Sequence, residues 1–272
     1  MLRERGLRIV SPHGDATLHP RIATAAELGG PFDAILLAVK AFALDAAMED
    51  FAPAVGAGTA ILPVLNGLKH MDLLTARFGR DAVAGCACKI AAQVDGDGRI
   101  VQLAPLPQEI AYGEMDGTAT PRLHALDAFL QGAGFEARLS PAIAREMWEK
   151  WILLATLGGI TCLMRGTVGE IAAAPGGADF ILRFLDEVVA VVRAAGVPPG
   201  DAFLAGARAL LTAKGSPMTS SMYRDLQQGQ PVEADQIVGD LLVRGAAAGV
   251  KTPLIALAYA SLSVYQNRRP SR

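Results

Sequence analysis

Apolar residues are spaced differently in the two halves of this chain. Up to about residue 139 they come in short dense runs alternating with helical stretches. FDAILLAVK, Phe32 to Lys40, is almost continuously apolar and ends on a lysine, the pattern of a parallel strand covered on both faces. AFALDAAMEDFAPAV then reads as a helix that stops near Pro53. TAILPVLNG, Thr59 to Gly67, reads as another buried strand with an Asn66-Gly67 turn just past its end, followed by the helical HMDLLTARFG. Further strands are expected within DAVAGCACKIAAQV, GRIVQLA, QEIAYGE and GFEARLS, and a helix over Pro121 to Gln131. Strands alternating with helices predict a doubly wound, parallel α/β sheet.

After Leu139 the spacing becomes helical. Ser140-Pro141 opens a helix with serine as cap and proline in the first turn. Helices are expected over 141–164, 178–196, 200–213, 231–249 and 253–266, separated by PGG, VPPG and KGSP. The fold class is therefore an α/β domain over 1–139 followed by an all-α domain over 140–272.

Composition narrows the function. Hydrophobic residues make up 51% of the 272 and charged residues 19%, which excludes a disordered chain. A net charge of −2 gives no electrostatic footprint for nucleic acid or anionic lipid. The longest apolar run, Trp151 to Met164, is shorter than the ~18 residues a membrane span needs, so a buried helix is expected. MLRERGLRIV carries no apolar signal core, and the expected setting is cytoplasmic. Cys86, Cys88 and Cys162 show no zinc-like spacing, and His13, His19, His70 and His124 are scattered. No metal site is expected.

In an open parallel sheet, ligands bind beyond the carboxyl ends of the strands. Lys40 and Asn66 sit at two such ends, although a lysine there is usually a solvated stop and Asn-Gly usually a turn. Lys150 heads the apolar run, and on a helix it shares one face with Leu154, Gly158 and Thr161. If that face is buried, its pKa falls toward the working pH, as suits a proton donor; otherwise its head snorkels to water. MTSSMYRDLQQGQPVEADQ adds a serine pair, Ser220 and Ser221, and Glu233 in the first turn of a helix introduced by Pro231. These groups could hold a carboxylate and orient a lysine, or simply cap helices.

Taken in order, SPHGD, LLAVKAF, ILPVLNGL, WEKWILLATLGGIT and SSMYRDLQQGQPVEAD resemble the ketopantoate reductase (2-dehydropantoate 2-reductase) family over nearly the whole chain. The resemblance implies an NADPH-dependent reduction of a 2-keto acid in the pathway to pantothenate and coenzyme A. It makes Lys150 the proton donor to the ketone oxygen and Ser221, with Ser220 beside it, the substrate-binding serine. Glu233 becomes the acid that orders substrate, lysine and cofactor. The resemblance makes 1–139 an incomplete, N-terminally truncated Rossmann-like cofactor-binding domain and 140–272 a helical substrate or dimerisation domain, and Lys40, Asn66 and Ala92 would line the cofactor cleft. The implied partners are a small 2-keto acid and a second copy of the chain, with neither nucleic acid nor membrane.

Two departures from the family matter. Leu154 and Gly158 stand where the family carries asparagines that hold a hydroxylated keto acid, so a smaller or more apolar keto acid enters the candidates. The family's opening strand and G-x-G-x-x-G turn also have no counterpart, since Gly56-Ala57-Gly58 follows a helix and has Ile61 at the third glycine position. The expectation is a start site assigned too far downstream, or else a remnant that binds cofactor poorly. A sheet lacking that strand would present an unpaired apolar edge. The rival reading is a non-catalytic binding or dimerisation module of the same family.

Overall fold

The computed structural model describes residues 2–103 and 108–269. Its first half contains α1 (Leu2–Arg5), β1 (Leu7–Val10), β2 (Ala16–Leu18), β3 (Ala34–Leu37), α2 (Leu44–Phe51), β4 (Ala60–Pro63) and α3 (Lys69–Phe78). It continues through β5 (Gly85–Lys89), β6 (Ala92–Val94), β7 (Ile100–Gln102), β8 (Glu109–Gly113), α4 (Pro121–Leu130) and β9 (Glu136–Leu139). Thereafter the regular elements are helical: α5 (Ile143–Met164), α6 (Val168–Ala173), α7 (Gly177–Ala195), α8 (Asp201–Leu211), α9 (Ser221–Gln227), a π turn (Asp235–Gly239), α10 (Asp240–Ala247) and α11 (Pro253–Asn267). Ala104, the last residue of the expected strand GRIVQLA, lies outside the described residues.

Two compact units emerge. The first gathers Met1–Leu37, Asp45–Val64 and Phe78–Ile143; the second gathers Ala38–Leu44, Leu65–Arg77 and Ala144–Arg272. The short segments just past β3 and β4 therefore pack with the helices that come later in the chain.

The first unit is an α/β structure whose strand pairing is mixed. β3–β4, β8–β9 and β1–β7 are parallel, whereas β5–β8, β1–β2 and β6–β7 are antiparallel. A single parallel bridge from Ile61 to Val83 joins β4 to the segment leading into β5. Ala60, Leu62, Ala84, Cys86, Ile110, Tyr112 and Leu123 form its core. Arg122 fixes α4 there, with paired hydrogen bonds of 2.8 and 2.7 Å to Glu114 and a third to the Thr59 carbonyl. β4 is buried at every position, as its apolar run predicts, but β3 is not covered on both faces: Leu36 is 58% exposed. β3 pairs with β4 on one side and has no second strand among the described residues. That leaves one backbone edge of β3 without a ladder partner among the described residues.

The second unit is built on helices. In α7, Ile181, Phe184, Leu185, Val188 and Val192 are fully buried, the i, i+3, i+4, i+7 stripe of an amphipathic helix. Glu187 on the same helix accepts hydrogen bonds from the Leu254 and Ile255 amides, capping α11 just after Pro253. α5 runs 22 residues and contains Gly158-Gly159, an unfavourable pair in a helix interior. Packing explains it. A Cβ at Gly159 would fall 2.2 Å from the Phe184 ring, and one at Gly158 would fall 2.7 Å from the Met222 methyl. No helix among the described residues is long and apolar enough to cross a membrane.

Candidate active site

Lys40 lies three residues past β3 and caps a short 3-10 turn, Ala41–Ala43. Its ammonium reaches the Asp225 carboxylate on α9 at 3.1 Å and that of Glu233 at 3.5 Å. Glu233 also accepts a 3.0 Å hydrogen bond from the Ala41 amide, so adjacent residues grip its two oxygens, one by backbone and one by charge. Burial works against the charge on Lys40, but the Glu233 and Asp225 carboxylates outweigh it and raise its pKa. Glu233 itself is 8% exposed. It stands just ahead of the helix rather than within its first turn: Ala234 is the first helical residue, and the Glu233 carbonyl accepts the opening bond from Ile237 at 3.0 Å. Proline at 231 ends the preceding loop without starting the helix itself.

The π turn that follows carries a second set of contacts. Gln236 is buried, and its amide nitrogen lies 3.0 Å from the Asn66 carbonyl and 2.8 Å from His70 Nδ1. The Asn66-Gly67 turn lies directly on it: Gly67 has φ +78°, and a Cβ there would fall 2.5 Å from the Gln236 carbonyl oxygen. Glycine is required on both counts. Trp151 donates a 2.9 Å hydrogen bond to the Ile237 carbonyl, which ties α5 to the same turn one residue after Lys150. π turns inserted in α-helices occur frequently at functional sites.

Lys150 is half-buried on α5. His70 is fully buried, and burial, reinforced by the Lys150 charge, pushes its pKa down to about 3. Its neutral imidazole accepts from Gln236 at Nδ1, so the ring proton is on Nε2, which has no acceptor among the described residues.

The serines have different duties. Ser220 caps α9, accepting from the Tyr223 amide at 2.9 Å, and lies 2.9 Å from the Thr161 hydroxyl. Thr161 gives its proton to the Leu157 carbonyl, so Ser220 must donate to Thr161, and its one proton is committed within the protein. Ser221, half-buried at the first position of α9, makes no hydrogen bond through its hydroxyl among the described residues. Leu154 is half-buried, and Gly158 is buried beneath Met222. Ala92 belongs to the first unit, exposed on β6 opposite Gln102.

Lys40 and Glu233, expected from separate motifs, are thus in contact, and Asn66 joins them through Gln236. Sequence reasoning missed Gln236 and the function of His70. Their bond spans 166 residues, so no local spacing announces it. The Asn66 carboxamide, half-buried, has no partner for its side chain among the described residues and offers both a donor and an acceptor. Cys162 is buried, which raises its pKa to about 12 and makes it inert as a nucleophile. Among the described residues no group of three or more His, Cys, Asp or Glu is arranged to hold a metal ion.

Residues 1–117 match the family described as ketopantoate reductase PanE/ApbA, and residues 142–266 match the C-terminal part of the same family. A Bacillus subtilis protein named as an uncharacterized oxidoreductase, YkpB, is 31% identical over 97% of this chain and 87% of its own length. A 2-dehydropantoate 2-reductase of Caulobacter vibrioides is 27% identical over 94% of this chain and 86% of its own. The crystal structure of 2-dehydropantoate 2-reductase from Geobacter metallireducens superposes with a TM-score of 0.83 at 26% identity, covering 96% of this chain and 87% of that one.

Proposed function

We infer, on the premise that this chain belongs to the ketopantoate reductase family, that it reduces 2-dehydropantoate or a related 2-keto acid to the 2-hydroxy acid with NADPH. The family is one of NAD(P)-dependent oxidoreductases. The choice of NADPH, the place in pantothenate and coenzyme A synthesis, a cytoplasmic setting and a homodimer are parts of the inference. So is the division into a cofactor-binding domain over 1–139 and a substrate domain over 140–272, with the segments around Lys40 and Asn66 packed among the helices of the second unit.

The observation that carries this reading is the meeting of four sequence segments within one unit. Lys40 and the Ala41 amide hold Glu233; Gln236, three residues on, holds Asn66 and His70; and His70 feels the charge of Lys150. The polar groups suit a nicotinamide: the Asn66 carboxamide carries the donor and acceptor that another carboxamide needs. Nicotinamide, when bound, supplies the hydride. Lys150 gives a proton from Nζ to the ketone oxygen as the carbon gains its new C–H bond, and solvent restores that proton afterwards. Its positive charge stabilises the developing alkoxide more than the neutral ketone. Ser221, with its hydroxyl uncommitted, is the serine we assign to the substrate, and Ser220 supports it as the cap. Glu233 is fixed by its two holders as an acceptor for substrate or cofactor. Ala92 is assigned a backbone contact with the cofactor. An apolar stretch beyond Lys150, formed by Leu154 and by Met222 over Gly158, favours a keto acid with an apolar side chain over a hydroxylated one.

The test is NADPH consumption with 2-dehydropantoate and a panel of other 2-keto acids. Lys150→Ala is expected to lower turnover roughly a hundred- to ten-thousand-fold with unchanged thermal unfolding. Turnover surviving in that variant would remove Lys150 from the chemistry. If neither NADPH nor NADH supports reduction of any 2-keto acid, the whole reading falls.

A further inference from the structure

His70 and Gln236 are buried polar residues to which the proposed mechanism gives no task. The Gln236 amide nitrogen has two protons and two acceptors, the Asn66 carbonyl and His70 Nδ1, so its donor capacity is used up. It joins one turn of backbone to one ring, and in doing so fixes which imidazole nitrogen holds the proton. The same turn cannot withdraw from Gln236 without opening the contact that only glycine at 67 permits. Glu233 lies three residues before Gln236, its carbonyl accepts the opening helical bond from the Ile237 amide, and the Ile237 carbonyl in turn receives the indole of Trp151, the residue after Lys150.

We infer that Gln236 and His70 are positioning residues for the keto-acid reduction: together they clamp the Asn66 turn to the helix start that carries Glu233 and keep an uncharged ring beside Lys150. The inference rests on the reading of Asn66, Glu233 and Lys150 given above. Its physical content is twofold. A clamp of neutral hydrogen bonds in a buried site holds its geometry without introducing a net charge. A ring that stays neutral adds no further positive charge to a site that already holds Lys40 and Lys150, whereas a protonated one would repel the Lys150 ammonium and ease its proton away before substrate arrives. Neither residue touches the reacting atoms in this account; both act through others.

The experiment compares His70→Phe, His70→Asn and Gln236→Leu with the unsubstituted protein, using NADPH affinity by fluorescence titration, steady-state kinetics and the imidazole nitrogen NMR shifts of His70. Asparagine keeps an acceptor near the position of Nδ1, whereas phenylalanine keeps bulk and loses it. His70→Phe strands a buried Gln236 N–H and Gln236→Leu strands two acceptors, and we expect NADPH binding to weaken roughly tenfold in each. His70→Asn should recover most of that loss, which a residue serving only to fill space would not do. In the unsubstituted protein the shifts should report a neutral ring protonated at Nε2 down to at least pH 5.

Wild-type affinity in His70→Phe and Gln236→Leu, or an Nδ1–H tautomer in the unsubstituted protein, would overturn the inference while leaving the reductase reading intact. So would His70→Asn behaving no better than His70→Phe. A protein that neither binds NADPH nor reduces any keto acid would overturn both. If Gln236→Leu unfolds, His70→Asn against His70→Phe still decides the matter.

Discussion

Glu233 and Gln236 stand three residues apart, yet they are held in opposite ways. Glu233 is gripped by a backbone amide and by Lys40, whose side chain is 48% exposed. Gln236 is gripped by uncharged partners, through a fully buried bond to His70 and a partly buried one to the Asn66 carbonyl. An ion pair with one end in solvent is screened and contributes little to stability, so Lys40 can let go of Glu233 at small cost if a ligand competes for either. A buried neutral clamp has no such freedom, because each partner left unmade bears its full desolvation penalty. The two ends of one short segment thus differ in how readily they yield, and the adjustable end holds the charge.

The largest effect that separates them should appear on acidification. His70 titrates at about 3 in the folded protein against an ordinary 6.5, so the folded state binds fewer protons between those values. Its contribution to stability is complete above pH 6.5 and drains as the pH falls toward 3, at up to about 1.4 kcal/mol per pH unit. Urea unfolding from pH 7 to 4 should show that slope, and His70→Phe should flatten it; equal slopes would mean that the ring is not held neutral. Gln236→Leu comes next, with an expected loss of about 1–3 kcal/mol at pH 7 from two stranded acceptors, read by the same unfolding curves.

At the yielding end the changes should be smaller in stability and larger in rate. Glu233→Gln keeps an oxygen for the Ala41 amide and loses the ion pair, so we expect less than about 1 kcal/mol of destabilisation but a tenfold or greater fall in turnover if the charge orders the site. Kinetics matching the unsubstituted protein would strip Glu233 of its role. Lys40→Met should shift stability least, by about 0–1 kcal/mol, and the difference should shrink further in 1 M salt. A salt-independent loss would mean that the pair is far better shielded than its exposure indicates.

Much of this architecture can be read from the pattern of apolar residues. The runs AILL and AILP are strands because dense branched residues between turn signals leave few alternatives, and α7 is a helix because its apolar positions repeat at helical spacing. Strands β1 and β2 were not foreseen: four and three residues are too few to establish a period of two. Helix α6 was missed although Thr167 and Glu170 form a capping box, a signal present in the sequence itself. The site divides in the same way. Lys40, Asn66, Ser221 and Glu233 announce themselves near the ends of elements, and Lys150, inside α5, by heading a long apolar run, so each is a polar side chain that breaks an apolar rhythm. Gln236 and His70 interrupt nothing locally, and only the folded chain brings them together. The π turn is equally silent, since one surplus residue within a helical stretch leaves no mark on composition.

That surplus residue restricts something other than side-chain chemistry. The wider turn of Asp235–Gly239 absorbs one more residue than an α turn does, so deleting one position there would let the stretch close into regular α-helix with what precedes and follows it still in phase, while the backbone of the turn itself is redrawn. The groups displaced would be those on the turn, the Gln236 amide that reaches Asn66 and His70 and the Ile237 carbonyl that receives Trp151. The number of residues in this segment, and not only their side chains, is therefore part of what holds the Asn66 turn in place.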